Sequence, residues 1–204
     1  QLYANMLRED LAGQPQPLQT AEKIAGAVRG LNAIVNDVLA FSREIRVQPM
    51  AGSAATLLRD AADVLQPTLA EKQIKVRFGE QDVPIHADRE AKHQALVNHN
   101  RNAVDAMDTG GTLTLEARPT ESGAELVIRD TGPGIEPDAI DRIFNPFFTT
   151  RATGTGLGLA IVHRIIDAHG GTIAVRNDDG AVFTITLARG EEGGARSEER
   201  GART

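Results

Sequence analysis

Gly154-Thr155-Gly156-Leu157-Gly158-Leu159-Ala160-Ile161-Val162 sets three alternating glycines directly before an apolar segment that reads as helix. Glycine lets backbone N–H groups approach an anion closely, and the unpaired amides of a helix N-terminus add partial positive charge. The stretch therefore suits a phosphate-bearing ligand. It is not a P-loop, which closes on Gly-Lys-Ser/Thr, because Leu157 and Leu159 follow the later glycines. Nor is it a dinucleotide fingerprint, Gly-x-Gly-x-x-Gly/Ala after a strand. The sixth position from Gly154 or Gly156 is Leu159 or Ile161, and Phe147-Phe148-Thr149-Thr150-Arg151 before it reads as a loop.

Working upstream, Phe144, Phe147 and Phe148 place half of the six phenylalanines within five residues, around Pro146. The polar run Thr149–Thr153 that follows is short and suggests a lid over a ligand. Earlier still, Asp130-Thr131-Gly132-Pro133-Gly134-Ile135 follows an alternating stretch that predicts a strand. A carboxylate at a strand end can accept a hydrogen bond from an exocyclic amine, and the glycines keep the turn thin enough for a flat ring. A long helix is predicted from Asp88, its N-cap, to Met107, with Asp108-Thr109-Gly110-Gly111 as its stop. On it Asn98, Asn102 and Asp105 fall within roughly 60° of one another at about 100° per residue. Leu96, Val97, Ala103, Val104 and Met107 take the opposite side. Neutral oxygen donors beside a polyphosphate suit Mg²⁺, which keeps several waters and takes few protein ligands.

The remaining pattern fixes the fold class. Ile24, Val28, Leu31, Val35 and Val38 repeat at alternating spacings of four and three, the seam of a helix in a bundle. With Leu2, Met6 or Leu7, and Leu11, and a break at Gly13-Gln14-Pro15-Gln16-Pro17, the first residues predict a helical hairpin whose second helix is capped by Thr20. Two such helices bury too little to stand alone, so self-association into a dimeric four-helix bundle is expected. The pattern stops near Val47–Ser53. Beyond it helices are predicted at 55–71 and 88–107, with strands at 74–78, 83–85, 112–117, 124–129, 172–176 and 182–187. Strands in adjacent pairs between helices predict an α+β sandwich with a mixed sheet. The expected division is 1–46 hairpin, 47–189 sandwich and 190–204 disordered tail, the last because it has no apolar anchor.

Composition narrows the function. A net charge of −6 argues against nucleic acid as a partner. The absence of cysteine removes disulfides and thiolate metal sites. With only seven aromatics among 204 residues, the core must be aliphatic. No uninterrupted apolar run long enough to span a bilayer is evident, so no membrane contact and a cytoplasmic setting are expected. The chain opens mid-pattern at Gln1-Leu2-Tyr3 and reads as a piece of something longer, whose parent could be membrane-anchored.

Together, Asn98-x-x-x-Asn102-Ala103, Asp130-x-Gly132-x-Gly134, Phe144-x-Pro146-Phe147 and Gly154-x-Gly156-x-Gly158 resemble the N, G1, F and G2 boxes of the ATP-binding domain of bacterial sensor histidine kinases, within the GHKL superfamily. Order and spacing match from about residue 53 to 187. Leu31-Asn32-x-Ile34-Val35-Asn36-Asp37-x-Leu39-x-Phe41-Ser42-Arg43 resembles the second helix of that family's dimerisation domain, and the short lid resembles the nitrogen-regulatory type. The resemblance implies a Bergerat-type sandwich holding ATP. Asn102, with Asn98 beside it, would hold Mg²⁺. Asp130 would read the adenine amine with Thr184 as a helper through water, and Gly132, Gly134 and Ile135 would line the base. The phosphates would lie along Thr153, Gly154, Thr155, Gly156, Leu157 and Gly158, with Arg151 or Thr155 on the γ-phosphate and Asp105 nearby. It also implies a homodimer through residues 1–46, a response-regulator receiver domain as partner, and transfer of the γ-phosphate to a histidine and then to an aspartate.

Two departures matter. Superfamily hydrolases carry a glutamate four residues before the Mg²⁺ asparagine, and Asn98 there has no useful basicity, which favours a kinase that holds ATP for a protein acceptor. The family's phosphorylated histidine belongs to the first hairpin helix, yet the five histidines are His86, His93, His99, His163 and His169. The expectation is a truncated chain that binds ATP–Mg²⁺ without labelling itself. Family members also usually have leucine at Lys92, His99 and Asn100. Asn100 falls inside the apolar stripe, and Lys92 is expected to snorkel its ammonium into water. The other readings are a non-catalytic nucleotide-binding module with a degenerate helix, and a serine kinase of the anti-sigma type, against which the hairpin speaks.

Overall fold

In the computed structural model, residues 15–121, 123–151 and 154–188 are described. The first predicted helix, the 190–204 tail and Thr153 lie outside them. The chain falls into two compact units, one of residues up to Ile45 with Pro137–Ile161, the other of Arg46–Glu136 with the residues from Val162 onward.

The second unit is built on a five-stranded sheet. Its strands are β2 (Lys75–Phe78), β4 (Thr112–Thr120), β5 (Gly123–Arg129), β6 (Thr172–Asn177) and β7 (Ala181–Ala188), in the order β2-β4-β5-β7-β6. β2 runs parallel to β4 and every other pair is antiparallel, so the sheet is mixed, as the paired strands of the sequence predict. Alternate residues of a strand face opposite sides. Leu113, Leu115, Leu126, Ile128, Phe183, Ile185 and Leu187 are buried on one side, and Thr114, Glu116, Glu125, Thr184 and Thr186 are half-buried on the other. Each fully buried aliphatic of this kind contributes about 1.5–3 kcal/mol. The helices α2 (Ala54–Asp63) and α4 (Arg89–Ala106) pack on each other, α2 against β4 and α4 with His99 edge-on to Phe183.

Local chemistry sets the element ends. Ser53 caps α2, its Oγ accepting the Thr56 N–H at 3.0 Å, and Asp88 caps α4, accepting from Ala91 at 3.0 Å. The single predicted helix over 55–71 is two, α2 and α3 (Gln66–Glu71), because Pro67 in the first turn of α3 has no N–H to continue the ladder. A strand, β1 (Met50–Ser53), replaces the predicted break and pairs antiparallel with β3 (Pro84–Ala87). Met50-Ala51-Gly52-Ser53 carries no alternation, so its pairing comes from β3 and from Asp82, which accepts from Ser53 Oγ at 2.8 Å.

The largest correction lies in α4. Lys92 does not snorkel: it is 1% exposed, as is His99, and Asn100 is fully buried. The polar side-chain nitrogens and oxygen of all three have no hydrogen-bond partner. Burial pushes the His99 imidazole down to about 4 and the Lys92 ammonium down to about 8.

The first unit contains α1 (Pro15–Ser42), the short α5 (Pro137–Ile140) and the start of α6 (Gly158–Ala168), which ends in the second unit. α1 begins at Pro15 instead of Thr20. Proline fits a first turn, where its missing N–H is not needed, and the Thr20 hydroxyl donates back to Gln16 O at 3.1 Å within the helix. Against the expectation that no run could span a bilayer, Gln16–Ser42 has the length and composition to cross one, its most apolar 18-residue window having a mean hydropathy of 1.3. Its Ile24, Val28, Leu31, Val35 and Val38 are exposed.

Candidate functional site

In the second unit, the outer face of α4 and the loop after β5 come together. Asn98 and Asn102 are half-buried and Asp105 is exposed, one turn after another along the helix. The loop Asp130–Ile135 passes over the C-terminal end of α4. A Cβ on Gly132 would meet Ala106 O at 3.5 Å, and the Thr131 hydroxyl, which accepts the Thr112 N–H at 2.9 Å, donates to Met107 Sδ at 3.8 Å. The expected base loop and the expected Mg²⁺ helix are therefore neighbours.

Asp130 is 4% exposed at the end of β5. Its Oδ1 accepts the N–H of Gly132 at 2.9 Å and of Ala181 at 3.2 Å. Burial pushes its carboxyl up, and the two backbone N–H groups pull it back down. This is a desolvated acceptor held by main chain, so its direction is fixed before any ligand arrives. A group that offers it a hydrogen bond gains more there than at an exposed carboxylate. Thr184, the expected helper, stands on the other face of the sheet. In the register of β5 and β7, Thr184 opposes Val127 on the face away from Phe183 and Ile185, while the backbone of Ala181 meets Asp130.

The loop is locked by a residue the sequence does not flag. Asn177, at the end of β6, accepts the Ile135 N–H at 2.9 Å and donates to Ile135 O at 2.7 Å. Gly134, at φ +75°, is the position this clasp requires, because a Cβ there would sit 2.8 Å from Asn177 Oδ1. Arg129 braces the same end of the sheet through Asp178, whose carboxylate it meets at 2.7 Å. The contact spans 42 positions, and in the sequence Asn177 is only one polar residue at the mouth of the Asp178-Asp179-Gly180 turn.

The glycine stretch belongs to the first unit. Phe147 N–H donates to Gly156 O at 3.0 Å, which ties the phenylalanine cluster to the glycines across the lid. Gly156 is at φ +68°, and any Cβ would collide with the Phe147 carbonyl carbon, so only glycine fits. Arg142 lies 4.5 Å over the Phe148 ring. Leu157 is 1% exposed and anchors the stretch, while Gly154 and Arg151 are exposed and Thr155, Gly156 and Gly158 are half-buried. Gly158 opens α6, as the apolar segment predicts. The Thr155 hydroxyl is engaged by Asp37 of α1 at 2.7 Å.

Among the described residues no group of three His, Cys, Asp or Glu side chains could hold a metal. The side-chain oxygens on the outer face of α4 are those of Asn98, Asn102 and Asp105. Such a face supplies few oxygens and leaves the rest to water and to an anionic ligand, as Mg²⁺ prefers.

Residues 87–191 match the family described as histidine kinase-, DNA gyrase B-, and HSP90-like ATPase. The sensor histidine kinase ZraS of Escherichia coli K12 is 34% identical over 171 residues, covering 83% of this chain and 37% of that protein. Full-length ShkA in complex with AMPPNP is 30% identical, with a TM-score of 0.69, over 91% of this chain and 42% of that one. The histidine kinase ThkA in complex with the response regulator protein TrrA is 25% identical, with a TM-score of 0.75, over 92% of this chain and 55% of that one. The chain spans little more than a third of the length of the curated relatives it matches. Four boxes in order, the mixed sheet that carries them and these likenesses have one reading: the chain belongs to the histidine kinase-, DNA gyrase B- and HSP90-like ATPase family, in its sensor-histidine-kinase branch.

Proposed function

We propose that residues 47–189 bind ATP with Mg²⁺ and present its γ-phosphate to a histidine, from which it passes to an aspartate of a response-regulator receiver domain. The observation that carries this reading is the buried Asp130 carboxylate, held by Gly132 and Ala181 beside an Asn177-locked glycine turn and the amide face of α4. Asp130 accepts the adenine amine, and Gly132, Gly134 and Ile135 line the ring. Asn102, with Asn98 and Asp105 beside it, holds the ion. The phosphates lie along Gly154–Gly158 with Arg151 and Thr153. Bound there, Mg²⁺ would neutralise charge on the phosphate oxygens. Asn98 cannot take a proton from water, so the bound nucleotide is kept for a protein acceptor.

None of the five histidines lies before residue 86, so in this proposal the acceptor histidine is not within residues 1–46. The exposed stripe of Ile24 (59%), Leu31 (61%) and Val35 (47%) supports a homodimer through residues 1–46, in which a second copy covers these side chains. The receiver domain is proposed from the ThkA complex. We place the domain in the cytoplasm, where ATP is supplied, with a parent that is free to be membrane-anchored.

Calorimetric titration of the chain with ATP, with and without Mg²⁺, tests the site. We expect Mg²⁺-dependent binding that weakens about 100-fold in Asp130→Asn, with no phosphate retained from labelled ATP. Stable label on a histidine of this chain would contradict the acceptor assignment. A second reading, a non-catalytic nucleotide-binding module with a degenerate helix that acts only by conformation or dimerisation, is favoured by the unpartnered Lys92, His99 and Asn100. No binding at millimolar ATP would select it.

A further inference from the structure

Asp37 and Thr155 are 118 positions apart in sequence and share one compact unit. The Thr155 hydroxyl donates to Asp37 Oδ2 at 2.7 Å while accepting the Leu157 N–H at 3.3 Å. A hydroxyl has one proton to give, and here a carboxylate holds it in a charge-assisted hydrogen bond. A phosphate oxygen at this loop would require that same proton. One turn further along α1, on the same face, Phe41 meets the Phe147 ring at 6.5 Å and a tilt of 59°. Phe147 is in turn fastened to Gly156. One face of α1 thus meets the loop at two points, with a carboxylate on Thr155 and an aromatic ring on Phe147.

We propose that Asp37 is a built-in competitor of the nucleotide's phosphate for the Thr155 hydroxyl, so that the position of α1 sets ATP affinity. The proposal rests on the reading of Thr155 as a phosphate contact. The coupling is reciprocal: whatever displaces α1 from Thr155 tightens ATP binding, and ATP binding releases α1 by the same factor. Asp37 is half-buried on a helix surface, so alanine there keeps the helix and removes only the anion.

The test is calorimetric titration of the full chain and its variants with ATP–Mg²⁺ and, separately, with adenosine. Asp37→Ala should bind ATP–Mg²⁺ about three- to tenfold more tightly and adenosine with unchanged affinity. Adding Thr155→Val should abolish that gain, so that the double variant binds ATP–Mg²⁺ no more tightly than Thr155→Val alone. Equal ATP affinity in Asp37→Ala and the wild type would overturn the competition while leaving the site reading intact. An equal gain for adenosine would overturn it in favour of simple docking of α1 on the loop. No ATP binding by the wild type would overturn the site reading and the competition together.

Discussion

The two faces of α4 obey different rules. Its outer face carries Asn98, Asn102 and Asp105, one turn apart, beside the buried Asp130. Its inner face carries Leu96, Ala103 and Val104, but also Lys92, His99 and Asn100, which are buried without hydrogen-bond partners. The outer face holds amides where a ligand and water can satisfy them. On the inner face the same kind of group costs about 1–3 kcal/mol each, because burial removes water and offers nothing in return. The aliphatic remainder of the core carries that cost, so the packing behind the outer face is weakened.

That contrast is broken most directly from the inside. Replacing Lys92, His99 and Asn100 by leucine should raise the free energy of unfolding by about 3–6 kcal/mol, at 1–3 kcal/mol per unpartnered group less some repacking strain. ATP affinity should stay within about twofold, since the three side chains face the core and Asn98, Asn102 and Asp105 the other side of the helix. Urea titration and calorimetry read the two effects separately. Loss of stability in the triple variant would mean that the inner face is satisfied after all.

The next effect is a pH dependence with two windows. The His99 imidazole titrates at about 4 in the fold against 6.5 in the unfolded chain, so between these values the unfolded state holds the extra proton. Stability is then complete above pH 6.5 and falls by about 1.4 kcal/mol per unit toward pH 4. Lys92 titrates at about 8 against 10.5, so the unfolded state again holds the extra proton and stability rises from pH 8 to 10.5. Comparing urea midpoints of the wild type with His99→Leu in the acid window and Lys92→Leu in the alkaline one isolates each slope. Parallel curves would refute the assignment.

The outer face should show the reverse behaviour. Asn102→Ala should lower ATP affinity in Mg²⁺ by about 30- to 100-fold, near 2–3 kcal/mol, and leave the unfolding midpoint almost unmoved. Titration with EDTA in place of Mg²⁺ should erase the difference between the variant and the wild type. A variant that loses stability instead would place Asn102 in the packing.

Much of this was legible in the chain. Alternation gave all the strands of the five-stranded sheet, the Asp88 cap and the span of α4 followed from local chemistry, and the four boxes carried the family. What escaped had no local signal. Met50–Ser53 becomes a strand only because β3 pairs with it; Pro67, by contrast, was a local signal, a missing N–H inside a continuous apolar spacing. Thr184 looked like a partner for Asp130 until the register turned it to the other face of the sheet. Asn177 and Asp37 act over 42 and 118 positions.

By itself the sequence determined the elements, the boxes and the family, because periodicity, capping and glycine placement act within a few residues of one another. The tertiary structure alone decided which side chains are deprived of water. It buried Asp130 against two backbone amides, closed Asn177 on the glycine turn and sealed Lys92, His99 and Asn100 without partners. Desolvation depends on everything packed around a group, including residues far away in the chain, and no local pattern encodes it.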